Sequence, residues 1–267
     1  MKTRRIVTFN IRCPWVDDGI NSLPHRLGAI LDKLDREQPD VVCFQEVIEK
    51  TAEFFRRHVP DYFVLYNGRC ENYDGEGLMT LLRRDTVELL SSDFFWLSPT
   101  PYVPASRFEE QSDCPRVTQA LMLRFCGETQ PFWVYNNHLD HISDRARILG
   151  IQQILARVSD DQERCEAPVF ILGDFNAKPD SETIRYCDTY QKFSIINATK
   201  DIGTTFHNFG KWIEYRPDGN RPDGPQIDYI YVDTDTASKP YTVTKWTDEQ
   251  DGVYLSDHYP ICLQLNN

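Results

Sequence analysis

Three observations predict an α/β fold of two packed sheets with helices outside, formed as a single domain over residues 1–267. Strand-like and helix-like segments alternate along the chain. The second half repeats the strand–helix–strand grammar of the first. No linker, low-complexity tract or break in composition separates the halves. The 267 residues are 40% hydrophobic and 26% charged, which excludes a disordered chain. No apolar run approaches the roughly 20 residues that span a bilayer.

The elements follow in order. Residues 4–11 (RRIVTFNI) are β-branched and apolar, the signature of a core strand. Leu23, Leu27, Ile30, Leu31 and Leu34 then recur at helical spacing, with Ser22 as the expected N-cap and Pro24 in the first turn. Pro39-Asp40 ends that helix and VVCFQE is a buried strand. Residues 48–58 read as a second helix, and YFVLYNG, GLMTLLRR and VELLSSDFFWLS as strands. Residues 99–115 hold four prolines and no periodicity, so a long surface loop is expected, of the kind that often carries function. VTQALMLRF and PFWVYNNHL form a hairpin around Gly127. Residues 144–158 make an amphipathic helix with Ile148, Ile151, Leu155 and Val158 inward, and the acidic run 160–164 reads as a solvated loop. APVFILGDFN is a buried strand, residues 181–187 a short helix, and residues 199–225 a second loop rich in Gly, Pro and aromatics. QIDYIYVD, YTVTKW and YPICLQL close the chain as strands.

The eight cysteines form no CxxC pair, which argues against a zinc ribbon or a thioredoxin-type centre. Several lie inside apolar runs, as small buried hydrophobes do in a reducing compartment. Met1–Arg5 runs straight into an apolar strand, too short for a secretory leader, so a cytoplasmic location is expected. The net charge of −12 disfavours tracking along nucleic acid, which demands a basic face. No DxDxDG run suggests a calcium-binding loop.

Five strand-like segments end in polar or charged residues: TFN (Asn10), CFQE (Gln45, Glu46), NNHLDH (Asn136, His138, His141), GDFN (Asp174, Asn176) and SDH (Asp257, His258). A sixth, QIDY, sets Asp228 in an apolar run, where a lone carboxylate is costly without a cation, a His or a metal beside it. Singly, such residues are ordinary turn or cap residues. Six in one chain point to strand ends converging on one rim, where sites form.

In sequence order TFNIR, CFQEV, NNHLDH, GDFN, QIDYI and SDHYPI, the chain resembles the endonuclease/exonuclease/phosphatase superfamily of metal-dependent phosphoesterases. EGLMTLLRR, FFWLSPTP, TTFHNF and the NHLDH–SDRAR join are similar to a sub-group of intracellular hydrolases close to the deadenylase-type nucleases. The resemblance implies a four-layer α/β sandwich, two mixed sheets flanked by helices. It also implies one or two Mg²⁺ ions, with Mn²⁺ as a substitute. By motif position it makes Glu46 the principal metal carboxylate, with Asn10 beside it and Asp257 completing the metal shell. Asp174 would orient or deprotonate the attacking water. Asn176 and His138 would hold non-bridging phosphate oxygens, and Asp228 would hydrogen-bond His258, which faces the phosphate. Some members carry an acid two positions after the first Asn; here that position is Arg12, which removes one metal contact.

The residue types agree with that chemistry. Mg²⁺ prefers oxygen ligands, whereas zinc would want more His or Cys. A buried Asp beside a His favours the imidazolium, useful against an anionic transition state. Arg116, opening a strand after the first long loop, is a candidate phosphate clamp. His141 is a candidate partner of His138 or of substrate, and His207 a candidate substrate contact. Trp212 and Tyr215 are possible stacking residues, and Glu76 reads as turn support. The two loops hold few basic residues (Arg107, Lys200, Lys211, Arg216, Arg221) against six aromatics (Tyr102, Phe108, Phe206, Phe209, Trp212, Tyr215). Such a rim predicts a phosphoester substrate that is small or a short single strand, monoester or diester. The alternatives are a structure-specific nuclease and a non-catalytic binding module. The second would show a lost catalytic Asp or His, and every motif here is intact.

Overall fold

The computed structural model describes residues 3–212 and 224–266. Tyr215, Arg216 and Arg221, named above as rim residues, lie outside them. The strands are β1 (Thr3–Asn10), β2 (Val41–Val47), β3 (Tyr62–Gly68), β4 (Gly77–Arg83), β5 (Val87–Trp96), β6 (Val117–Phe125), β7 (Pro131–His138), β8 (Val169–Asp174), β9 (Ile195–Asn197), β10 (Asp228–Asp233), β11 (Tyr241–Lys245), β12 (Glu249–Gln250), β13 (Val253–Tyr254) and β14 (Ile261–Asn266). The helices are α1 (Leu23–Glu37), α2 (Glu49–His58), α3 (Asp144–Arg164), α4 (Glu182–Asp188) and α5 (Thr234–Ala237).

The described strands form two six-stranded mixed sheets, ordered β11-β14-β1-β2-β4-β3 and β5-β6-β7-β8-β10-β9, with β12 and β13 as a separate ribbon. Each sheet has one parallel pair near its centre, β1 with β2 and β7 with β8. Parallel neighbours need a crossover, supplied by α1 and α3. Parallel strands also finish at the same rim, so Asn10 is registered with Gln45 and His138 with Asp174. The topology thereby brings both sets of strand-end residues to one edge.

The layers follow from burial. Phe9, Phe44 and Phe55 pack one sheet onto α1 and α2; Tyr135, Ile151 and Ile171 pack the other onto α3 and α4; Ile6, Val134, Phe170 and Leu263 fill the space between the sheets. The result is the expected four-layer sandwich. A polar seam crosses this central layer. Gln45 Nε2 donates to Asn136 Oδ1 at 2.8 Å, and Thr80 Oγ1 donates to Gln119 Oε1 at 2.8 Å. Both Gln45 and Asn136 are fully buried. These two strand-end residues therefore tie the sheets together rather than line the rim.

Local departures have local causes. Ser22 precedes α1 but does not cap it, because its hydroxyl accepts from Asp18 N at 3.1 Å and donates to Asp17 Oδ1 at 3.0 Å. Helix α3 runs through the acidic stretch to Arg164 instead of stopping at 158. Asp161, expected in solvent, is buried and accepts from Tyr135 Oη and Arg157 Nε, both at 2.8 Å. All eight cysteines are unpaired thiols. Among the described residues, no helix is long and apolar enough to cross a membrane.

Candidate active site

Asn10 ends β1 and is buried. Its Nδ2 donates to Glu46 Oε1 at 3.0 Å and to Asp174 Oδ2 at 2.9 Å, joining a carboxylate from each sheet. Glu46 follows a register shift in β2 and has φ 61°, a backbone state a non-glycine residue adopts only under local constraint. That bulge turns its carboxylate to the rim, where Cys13 N donates to Oε2 at 2.7 Å. Burial alone would raise the Glu46 carboxyl, but the Cys13 N–H, Asn10 and the nearby His258 and Arg12 charges hold it below the ordinary range.

Asp174 ends β8 opposite Asp228 of β10. Burial, together with the Asp228 charge, pushes its carboxyl up to about 7 against the pull of His258. The expected Asp228–His258 pair is formed: His258 Nδ1 lies 2.8 Å from Asp228 Oδ2, which also accepts from Thr205 Oγ1 at 2.6 Å. Burial opposes the imidazolium, yet Asp228 overcomes it and raises His258 to about 10. The other ring nitrogen, Nε2, faces Asp174 Oδ2 at 3.8 Å. His138 Nε2 approaches the same oxygen at 3.7 Å, but burial and then Arg116 and Arg69 hold His138 well below its ordinary value, so it is neutral. Asn176 has φ 49°, takes Asp174 Oδ1 on its backbone N–H at 2.8 Å and donates from Nδ2 to Leu139 O at 3.1 Å.

Among the described residues, two groups have ligand atoms that lie, within each group, within 4.8 Å of one another: Glu46, His138 and Asp174, and Asp174, Asp228 and His258. Asp257 is raised by burial and then by Glu46. Its Oδ2 is 3.7 Å from Arg12 Nε, and Arg12 also pairs with Asp18 at 3.1 Å. The carboxylates of Glu46, Asp174 and Asp257 around the Asn10 carboxamide form an oxygen-rich donor set, which fits a hard divalent cation.

The model of the endonuclease/exonuclease/phosphatase family matches residues 7–258. The chain belongs to the endonuclease/exonuclease/phosphatase family. It is accordingly an enzyme of the hydrolytic phosphoesterase and nuclease class. A search of curated protein sequences finds no significant match. Among solved structures, a functionally unknown conserved protein from Enterococcus faecalis V583 is 27% identical with a TM-score of 0.83, covering 98% of this chain and 99% of that one. An endonuclease/exonuclease/phosphatase from Bacteroides vulgatus is 24% identical with a TM-score of 0.83, covering 100% and 99%. A mannosyl-6-phosphatase from Bacteroides thetaiotaomicron is 20% identical with a TM-score of 0.81, covering 99% and 100%.

His207 and His141 are placed differently from the sequence expectation. His207 is fully buried; its ring stacks on Tyr259 with centroids 3.9 Å apart, and its Nδ1 accepts from Gly210 N at 3.0 Å. It supports the 204–212 segment behind Asp257, whose carbonyl it takes at 2.9 Å, and does not face substrate. His141 lies at the surface with Nδ1 2.9 Å from Arg116 Nη2, so it partners the arginine. The aromatic rim is also narrower than expected. Phe206 packs on His258 and Trp212 on Phe206, but Phe108 packs against the α3-side core and Tyr102 is held by Asp93.

Glu76 is more than turn support. It sits 3.9 Å from His138 Nδ1 and pairs with Arg69 at 2.7 Å. Arg69 carries no sequence signal, because it lies in an unpatterned connection between β3 and β4. Thr205 was legible only as part of TTFHNF.

The Asp228–His258 pair gives a direct expectation. Asp228→Asn should bring the His258 titration, followed by NMR, down from about 10 toward or below the ordinary 6.5. The folded value lies above the free one. The pair therefore stabilises the fold fully below about 6.5, and that contribution fades as pH rises through about 10. An unmoved titration would remove Asp228 as the cause.

Proposed function

We propose that this enzyme is a Mg²⁺-dependent phosphoester hydrolase acting on small or short single-stranded substrates. The observation that carries the reading is a carboxylate and an imidazole facing each other in one pit, Asp174 Oδ2 3.8 Å from His258 Nε2, with the carboxyl pushed up to about 7 and the imidazolium held up to about 10. A carboxyl near neutrality beside a charged imidazolium is suited to separate base and acid roles. Glu46, Asn10 and Asp257 are the residues to hold the ion. When bound, Mg²⁺ supplies positive charge to the phosphoryl oxygens. Arg12, lying against Asp257, supports one fully held ion rather than two.

In this reading Asp174 takes the proton of the attacking water, with Asn10 Nδ2 fixing the orientation of Oδ2. His258, kept charged by Asp228, faces the phosphoryl oxygens as negative charge builds. Asn176 and the neutral His138 flank the same position and donate to non-bridging oxygens. Phe206 and Trp212 wall the His258 side and suit one stacked or apolar group. Eight free thiols support a reducing, cytoplasmic setting. The mannosyl-6-phosphatase neighbour supports the phosphatase branch of the family.

The test is kcat/KM for a panel of phosphoesters and a DNA duplex, with and without Mg²⁺, across a salt series. Mg²⁺-dependent hydrolysis with a shallow salt slope is expected, since each neutralised phosphate contributes roughly 0.9 log unit per tenfold change in salt. Efficient duplex cleavage with a slope equal to about four contacts or more would favour the structure-specific nuclease.

A further inference from the structure

Arg26 lies in the first turn of α1 and is completely buried. Both facts count against it. Burial strips a guanidinium of water, and the N-terminal end of a helix repels a cation. Main-chain oxygens satisfy it there. Nε donates to Asn21 O at 2.6 Å, Nη1 to Ile11 O at 2.8 Å and to Leu255 O at 2.7 Å, and Nη2 to Arg12 O at 3.3 Å. One planar fork thus gathers the run that follows β1, the entry to α1 and the approach to Asp257. Holding carbonyls from several directions at once uses the fixed donor geometry that only arginine has.

The other ends of the same peptide groups face the site. The Ile11–Arg12 peptide gives its oxygen to Arg26 and its N–H to Asn10 Oδ1 at 3.0 Å. The Arg12–Cys13 peptide gives its oxygen to Arg26 and its N–H to Glu46 Oε2 at 2.7 Å. Two successive peptide groups therefore stand between one guanidinium and two residues of the rim. A charge at the oxygen end polarises each group and strengthens the N–H it offers. The first group fixes Asn10. With Oδ1 on the Arg12 N–H, Nδ2 is left to face Glu46 and Asp174. The second holds one oxygen of Glu46. Arg12, between them, has φ 62°, a left-handed state that a non-glycine residue keeps only where its surroundings fix it. Leu255 O, on the same Nη1 as Ile11 O, ties in the segment that leads to Asp257.

We propose that Arg26 is a positioning residue for the metal centre: through the Ile11–Arg12 and Arg12–Cys13 peptide groups and through Leu255 it sets the spacing of Asn10, Glu46 and Asp257, and with it the size of ion they admit. The proposal rests on the metal-site reading above. Mg²⁺ demands near-octahedral ligands at about 2.0–2.1 Å, whereas Ca²⁺ accepts looser shells at about 2.3–2.6 Å. A spacing fixed from behind favours the smaller, stricter ion. A lysine at this position keeps the charge, but one ammonium cannot reproduce a planar fork.

The experiment titrates Mg²⁺ and Ca²⁺ by calorimetry into wild type, Arg26→Lys and Arg26→Gln, with Arg4→Lys as the control. Arg4 is another buried arginine, at the opposite end of β1 from Asn10 and paired with Glu128 at 2.8 Å. Each Arg26 variant should weaken Mg²⁺ binding about 10- to 100-fold and Ca²⁺ binding by less, so the preference for Mg²⁺ falls. Arg4→Lys should lower the melting temperature and leave that preference at its wild-type value. A preference unmoved in the Arg26 variants, or moved equally in Arg4→Lys, overturns the proposal. Amide hydrogen exchange gives a readout free of metal. Relative to amides in the centre of β7, the Arg12 and Cys13 N–H groups should exchange about tenfold faster or more in the Arg26 variants, and at the wild-type ratio in Arg4→Lys. Uniform acceleration along the chain, or failure of both Arg26 variants to fold, assigns Arg26 to the fold as a whole and overturns the proposal as well. Should wild type bind no divalent ion, the metal-site reading falls, and the exchange of these two N–H groups still decides whether Arg26 positions Asn10 and Glu46.

Discussion

Glu46→Gln should abolish measurable Mg²⁺ binding in calorimetry and lower kcat/KM on the order of 1,000-fold, with the fold intact by circular dichroism. The change keeps shape and removes charge. Glu46 Oε1 and Oε2 accept from Asn10 and Cys13 in the native protein, and these donors hold the carboxylate ionised despite its burial. An amide retains one acceptor and turns an N–H₂ toward the other donor. The bulge and the φ of 61° are main-chain features, so the side chain should still point to the rim. Unchanged Mg²⁺ affinity in this variant would move the metal assignment elsewhere.

Gly173→Ala should produce a large stability loss. Gly173 has φ 146°, and a Cβ there would lie 1.9 Å from Asn137 O and 2.8 Å from Asn137 C. Both atoms are backbone of β7, in register with Gly173 across the parallel pair that sets Asp174 opposite His138. Relief requires spreading two central strands. A loss of about 4 kcal/mol or more is expected, lowering the melting temperature by roughly 10 °C. Gly127→Ala is the control. Its φ is 82°, but nothing lies within 4 Å of the added carbon, so it should cost only about 1 kcal/mol. Equal melting of the two variants would show that strain, not the clash, governs position 173.

Much of this site was legible before any coordinates because strand ends carry it. Asn10, Glu46, His138, Asp174, Asp228 and His258 each stand at or beside the end of an apolar strand, and although one such residue is ordinarily a turn or cap, so many in one chain are not. The same rule misplaced Gln45 and Asn136. Sequence shows that a strand ends, but not which face its last residues present, and a one-residue difference reverses the face. Helix α3 overran its expected end because Asp161 is held by the buried Tyr135 hydroxyl of β7, a donor remote in sequence, and by Arg157 one turn back on the helix. Ser22 failed as a cap because Asp17 and Asp18 compete for its hydroxyl. Arg69 and Glu76 were illegible as a pair, since their meaning comes from Arg116 and His138 on the other sheet. His207 looked functional by residue type, yet stacking on Tyr259 decided its place.

The seam of Gln45, Thr80, Gln119 and Asn136 lies in the layer between the two sheets. Asn10 reaches from one sheet to Asp174 on the other, so the catalytic distances are interlayer distances. The enzyme is in effect a caliper whose jaws are its two sheets. Swelling of the gap by a fraction of an ångström opens the jaws while every strand keeps its own ladder of hydrogen bonds. Catalysis is therefore a finer gauge of that gap than any measure of strand or helix content.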